Sequence, residues 1–353
     1  MKLRIYFRPA LAVLLLLAVA VVFWLAALKL PLLALPALFY SALSALGLWA
    51  LWRIHRLERW ESWDIPRRLL ILAPHEDDCA ISAGGIGARN HRLGGDTHVV
   101  YLAPDETPGL AAIRAAEARD AWAVAGVPPS SLRHAALLPL LHERSPATLH
   151  AAAGELRRII DAFGPETIVV PMFEGGHVHH DMLAALLGRI VTDNDRFTVF
   201  EAPEYSPHVS LANTPHRIVA LCARWLFGLV SYYGPPDGID GRPVDRIRLD
   251  PTDMDAKRGM LARFVSQNAP SLVSTRAYPD RLVRMNFARQ WRQPFDFQRS
   301  YLRLGLAARD RLPAWLARAL LPGPTGTIGR DGSITDWQQE WSETAAGGAP
   351  AVR

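Results

Sequence analysis

Cysteine is nearly absent from the chain: Cys79 and Cys222 stand alone among 353 residues, too few and too far apart for a disulfide framework. A chain without such staples is expected in a reducing compartment. It must be held by its core, and its length suits one or two domains with a substantial one. Charge is missing from residues 9–52, which are almost entirely apolar and hold one lysine, Lys29. No internal repeat stands out. No nucleic-acid module accompanies the net charge of +5, so DNA and RNA are not expected partners.

The basic residues that are present are mainly arginines, and Arg53, Arg56, Arg59, Arg67 and Arg68 crowd beside the apolar stretch, a placement that suits an anionic lipid surface. Residues 9–28 are long enough to cross a bilayer core of roughly 30 Å, and residues 30–52 are a second stretch of similar length. Lys29 and Pro31 separate them. Lys2, Arg4 and Arg8 precede the first stretch, and Arg53, Arg56 and Arg59 follow the second. Positive charge on both outer flanks predicts a two-helix transmembrane hairpin in the inner (cytoplasmic) membrane, with residues 1–8 and the globular part on the cytoplasmic side. A secretory signal would have a shorter apolar core and then a cleavage site before polar sequence; here more apolar sequence follows.

Beyond a basic juxtamembrane linker at 53–66, the pattern alternates strand and helix. Strands are expected at 69–73, 98–103, 132–138, 167–172 and 197–202. Helices are expected at 83–93, 110–125, 147–163 and 182–191, with Gly126 stopping the second. This predicts an α/β domain over 67–267 with a mostly parallel sheet covered by helices on both faces. Residues 217–233 are strongly apolar and read as a core or cap helix or as a helix resting on the membrane face, and 252–267 as a further helix. Residues 268–321 are expected to pack on the domain as an extension, and the Gly/Pro-rich tail 322–353 to be partly disordered.

Two short stretches carry chemistry. Ala73-Pro74-His75-Glu76-Asp77-Asp78 follows the first expected strand, and Gly175-Gly176-His177-Val178-His179-His180-Asp181 follows the strand at 167–172. In open parallel sheets ligands bind at the carboxyl ends of strands, so both stretches can face one crevice. Histidines and carboxylates of this kind suit a catalytic zinc, which takes three protein ligands and keeps one position open; ferrous iron accepts the same donors. A carboxylate beside the site can take a proton from water and pass it to a leaving nitrogen. His177 and His180 share a face if they lie on one helical turn. The bland reading makes Asp77 or Asp78 a helix cap and the histidines a solvated loop cluster. Cys79 reads better as a buried thiol than as a ligand.

The first stretch resembles the "[A/P]-H-P-D-D-E" signature of the PIG-L/LmbE-type N-acetylglucosaminyl deacetylases, and the second resembles that family's "H-x-D-H". Gly84-Gly85, the run Ile113-Arg114-Ala115-Ala116-Glu117-Ala118, and Lys257-Arg258 with Ser266-Gln267 are similar to further family segments. The resemblance covers roughly residues 67–267. It implies a Rossmann-like fold and zinc held by His75, Asp78 and His180. It further implies Asp77 as general base, His177 as the group that stabilises the developing oxyanion, and an N-acetylglucosamine-type substrate. With the predicted hairpin, that substrate is expected to ride on a lipid, and membrane lipids are expected partners. Arg114 is a candidate for a substrate phosphate, since a guanidinium matches phosphate geometry; an ion pair with Glu117 is the other reading. Three positions depart from the pattern: Glu76 stands for the usual Pro, Cys79 for Glu and His179 for Asp. His179 and Asp181 are therefore the candidates for orienting the ligands from behind. A related zinc amidase, or a non-catalytic glycan- or partner-binding protein, are the alternative readings.

Overall fold

The computed structural model describes residues 9–103, 107, 109–135, 137–143, 145–172, 178–192, 194–202, 244–272, 280–285 and 313. The expected helix at 217–233, the tail 322–353, His177 and the N-terminal residues 1–8 lie outside them.

Two helices come first, α1 (Pro9–Ala27) and α2 (Ala34–Leu57), joined by a short 3-10 turn at Pro31–Leu33. They run antiparallel against each other. Phe23 stacks on Tyr40 with ring centroids 5.5 Å apart, and Trp24 Nε1 donates to Ser41 Oγ at 3.0 Å. Nearer the other end Gly47 lies against Val13, so closely that a Cβ there would come within 2.7 Å of it. The outward faces are apolar, with Leu14, Leu25, Leu28, Leu32 and Leu35 exposed. Pro31–Trp49 is long and apolar enough to cross a membrane, whereas the apolar run Val13–Ala27 is shorter.

The α/β part is one eight-stranded sheet. Its strands are β1 (Glu58–Ser62), β2 (Arg68–Ala73), β3 (Asp96–Tyr101), β4 (Leu132–His134), β5 (Thr167–Pro171), β6 (Thr198–Ala202), β7 (Val244–Arg248) and β8 (Arg281–Arg284). Their spatial order is β1-β7-β8-β6-β5-β2-β3-β4, with every pairing parallel except those made by β8. The mostly parallel sheet agrees with the sequence pattern, but the sheet reaches past both expected boundaries. Glu58–Ser62, expected as linker, is an edge strand tied to β7 by Arg59 and Asp245 at 2.7 Å. Arg281–Arg284, expected as an added extension, is inserted between β6 and β7. Neither segment has an apolar alternation of its own, because each gains its place from long-range pairing.

Helices α3 (Asp78–Arg92), α4 (Leu110–Val124), α5 (Leu138–Glu143), α6 (Pro146–Phe163), α7 (Val178–Ile190) and α8 (Pro251–Leu261) complete the described α-helices. The alternating side chains of β2 divide the core. Leu70 and Leu72 pack with α5, α6 and α7 on one face, and Leu69, Ile71 and Ala73 with α3, α4 and α8 on the other. Burial on both faces explains why β2 reads as an unbroken apolar run. α6 opens with Ser145 accepting from Thr148 N and Pro146 at its first position, and closes at Gly164, where φ is 61°. The strand expected at 132–138 is only three residues long and gives way to α5.

Two helices begin earlier than their apolar periodicity suggests. α3 starts at Asp78 rather than 83, and α7 at Val178 rather than 182. The first turn of α7 is mostly polar motif residues, which carry no apolar period to announce it, and α3 opens on the motif residue Asp78 before the buried Cys79, Ala80 and Ile81. α3 then packs tightly. A Cβ at Gly85 would lie 2.2 Å from Leu249 Cδ1, and one at Gly87 would lie 2.7 Å from the Trp122 ring. Lys257 and Asp280, both fully buried, are ion-paired beside this helix; Lys257 Nζ also donates to Ile81 O at 2.9 Å, and Asp280 accepts from Ile86 N.

Candidate metal centre

The chain runs from β2 outward through β3 to β4, then returns to place β5 on the other side of β2. The carboxyl ends of β2 and β5 therefore flank the point where the winding reverses, which is where open α/β sheets bind ligands. The His75–Asp78 turn leaves β2 there, and α7, carrying His179 and His180 in its first turn, follows β5.

His75, Asp78 and His180 bring one ligand atom each within 4.8 Å of one another. Asp78 Oδ2 is central: it lies 2.9 Å from His75 Nδ1 and 3.1 Å from His180 Nε2, and it accepts from the His75 backbone N–H at 2.9 Å. Ligand atoms about 2.0–2.1 Å from a tetrahedral zinc stand about 3.3 Å apart, so little movement separates this cluster from a coordination sphere. Two imidazoles and a carboxylate also suit the charge and softness of a divalent ion such as zinc or ferrous iron. Asp78 and His180 are buried, while His75 and Asp77 are half-buried, so the cluster is reached from the side those two line.

The capping alternative does not describe these carboxylates. Asp77 occupies the position before α3, but its side chain makes no capping hydrogen bond, and Asp78 is engaged by the two imidazoles. Burial pushes the Asp77 carboxyl up to about 7, with the adjacent Asp78 charge adding to the rise and His75 opposing it. An ion at the cluster would add positive charge and favour its charged form. Burial also acts on Asp78, yet His180 and His75 more than offset it and hold that carboxyl well below its ordinary value.

Of the remaining candidates, His179 is buried with its Nδ1 2.9 Å from His75 Nε2. Asp181 lies in the first turn of α7. Cys79 points away from the ligand atoms: its thiol donates to Glu76 O at 3.2 Å and receives Trp122 Nε1 at 3.3 Å, and burial pushes its pKa up. Glu76, in place of the family proline, is fully buried. Arg114 is half-buried on α4, and one turn on, Glu117 accepts from Ser266 N and Ser266 Oγ, both at 2.7 Å. That tie joins α4 to the turn after α8. The contact between His179 and His75 is one that sequence spacing does not reveal, because it crosses between the two loops.

A search of curated proteins finds no match. Among solved structures, a deacetylase of the teicoplanin biosynthetic pathway aligns at 17% identity, covering 62% of this chain and 97% of its own, with a TM-score of 0.43. The A40926 pseudoaglycone deacetylase Dbv21 aligns at 15%, covering 63% and 98%, with a TM-score of 0.43. The N,N'-diacetylchitobiose deacetylase from Pyrococcus horikoshii aligns at 15%, covering 63% and 85%, with a TM-score of 0.31. The family model PIG-L, described as GlcNAc-PI de-N-acetylase, matches residues 70–191, a span that takes in most of β2, all of β5 and all three converging ligands. The similarity to the PIG-L family model is thus confined to residues 70–191, the part of the chain that carries the cluster.

Proposed function

We propose that the protein is a divalent-metal-dependent hydrolase that removes the acetyl group from an N-acetylated amino sugar, giving a free amine and acetate. The observation that carries this reading is the convergence of His75 and Asp78, where β2 leads into α3, with His180 in the first turn of α7 at the switch point, and with Asp77 beside them. His75, Asp78 and His180 would hold the ion, zinc being the best match to the donors and ferrous iron the alternative. A bound ion supplies Lewis acidity, polarising the acetamide carbonyl and easing ionisation of a nearby water. Asp77 takes the water's proton and returns it to the nitrogen as the C–N bond breaks, so water is consumed and no other reactant is needed. His177 is assigned, from the family pattern, to hydrogen-bond the developing oxyanion. Arg114 is assigned to a phosphate on the substrate.

The helix pair supports a membrane setting. The apolar run Pro31–Trp49 and the exposed leucines of α1 and α2 suit lipid contact, and the arginines after Trp52 suit an anionic surface on the cytoplasmic side. In this reading both helices cross the inner membrane, and a lipid-linked amino sugar is the preferred substrate.

The test is amine release by the full chain in detergent, from soluble and lipid-linked N-acetylglucosaminyl compounds. It is run after chelation and again after zinc or ferrous iron is restored. Metal-restored release supports the proposal, and a preference for the lipid-linked compound supports the membrane reading. No release from any acetylated amino sugar with either metal overturns it and leaves a binding role.

A further inference from the structure

His75 uses both ring nitrogens. Nδ1 lies 2.9 Å from Asp78 Oδ2 inside the ligand cluster, and Nε2 lies 2.9 Å from His179 Nδ1, with the two ring centroids 5.1 Å apart and the planes at 44°. His179 is 9% exposed and His75 half-buried, so this contact is partly shielded from bulk water. A neutral imidazole carries one N–H. If Nδ1 is to offer a lone pair to a cation, the proton must sit on Nε2 and needs an acceptor there.

We propose that His179 is a positioning residue that accepts the His75 Nε2–H through its own Nδ1 and so commits His75 to bind metal through Nδ1. His179 then carries its proton on Nε2. The family pattern has an aspartate at this position, so this chain sets an uncharged acceptor behind the metal where a carboxylate would be anionic. A neutral acceptor orients the ring but adds no negative charge to the site, and a carboxylate would do both. The inference rests on the metal reading of the same cluster.

Zinc affinity of the full chain in detergent, measured by competition with a chelator, tests it. His179→Leu is expected to weaken zinc binding by about tenfold to a hundredfold. His179→Asn, whose side-chain oxygen stands where Nδ1 does, is expected to stay close to wild type, and His179→Asp to bind more tightly. Leucine binding as tightly as wild type, or asparagine as weakly as leucine, would overturn the proposal. Isotope-labelled histidine NMR of the zinc-loaded wild type covers a leucine variant that does not fold: the His75 proton is expected on Nε2, and a bare Nε2 refutes the assignment. His180→Ala separates the two levels. If it retains zinc, the metal centre itself is wrong; if it loses zinc while His179→Leu keeps it, only the role of His179 fails.

Discussion

Two groups of buried charge meet the same helix and are satisfied in opposite ways. Beside the middle of α3, Lys257 and Asp280 cancel each other, and Lys257 Nζ and the Asp280 carboxylate also meet Ile81 O and Ile86 N. At the start of α3, Asp78 faces two imidazoles that can be neutral, beside a second carboxylate in Asp77. The first group is complete within the chain. The second gathers electron-pair donors around one oxygen, and in the function proposed above it would reach charge balance by taking up a cation. The two groups thus use similar side chains, and the difference is whether the partner charge is built in.

The sharpest way to break this contrast is His180→Ala, which removes a donor from the open group and is expected to abolish both metal retention and turnover, read by elemental analysis beside an amine-release assay. Full activity in this variant would remove the site from His75, Asp78 and His180. Asp77→Asn is expected to keep the metal and lower kcat by about 10²- to 10⁴-fold, the range of a lost general acid–base. Unchanged kcat would assign the proton transfer elsewhere.

At the closed group the readout moves from activity to stability. Lys257→Met leaves Asp280 buried without its partner and is expected to cost about 3–5 kcal/mol in unfolding experiments. Adding Asp280→Leu should recover much of that, since a pair of apolar residues leaves no stranded charge. A double variant as unstable as the single would show that the pair does not close on itself. Gly85→Ala, which drives a Cβ into Leu249, is expected to cost about 1–3 kcal/mol by overpacking.

The smallest effect lies at an outlying pair. Burial pushes Asp195 up, but the Thr192 N–H and the Arg157 guanidinium outweigh it and hold its pKa below the ordinary value. Its contribution to stability is therefore complete above the ordinary carboxylate range and is lost as pH falls through the depressed folded value. Asp195→Asn should flatten the acid limb of a stability–pH curve while leaving the neutral region little changed. An unaltered acid limb would mean that Asp195 is not held by Arg157.

The amino-acid sequence by itself determined the central strands, because β2 and β5 are buried on both faces and so read as continuous apolar or β-branched runs. It also marked the candidate ligands, because His75, Asp78 and His180 stand in motifs whose donors suit a metal, and the fold brings these three together. Only the tertiary structure decided that β1 and β8 join the sheet, since edge and inserted strands draw their place from partners far along the chain. The same holds for the charges: Lys257 meets Asp280, and His75 meets His179, only once the loops and helices have been brought together. Local pattern records which face of an element is dry. It does not record which polar atom waits on the other side, because hydrogen bonds across the fold depend on positions in space rather than on spacing along the chain.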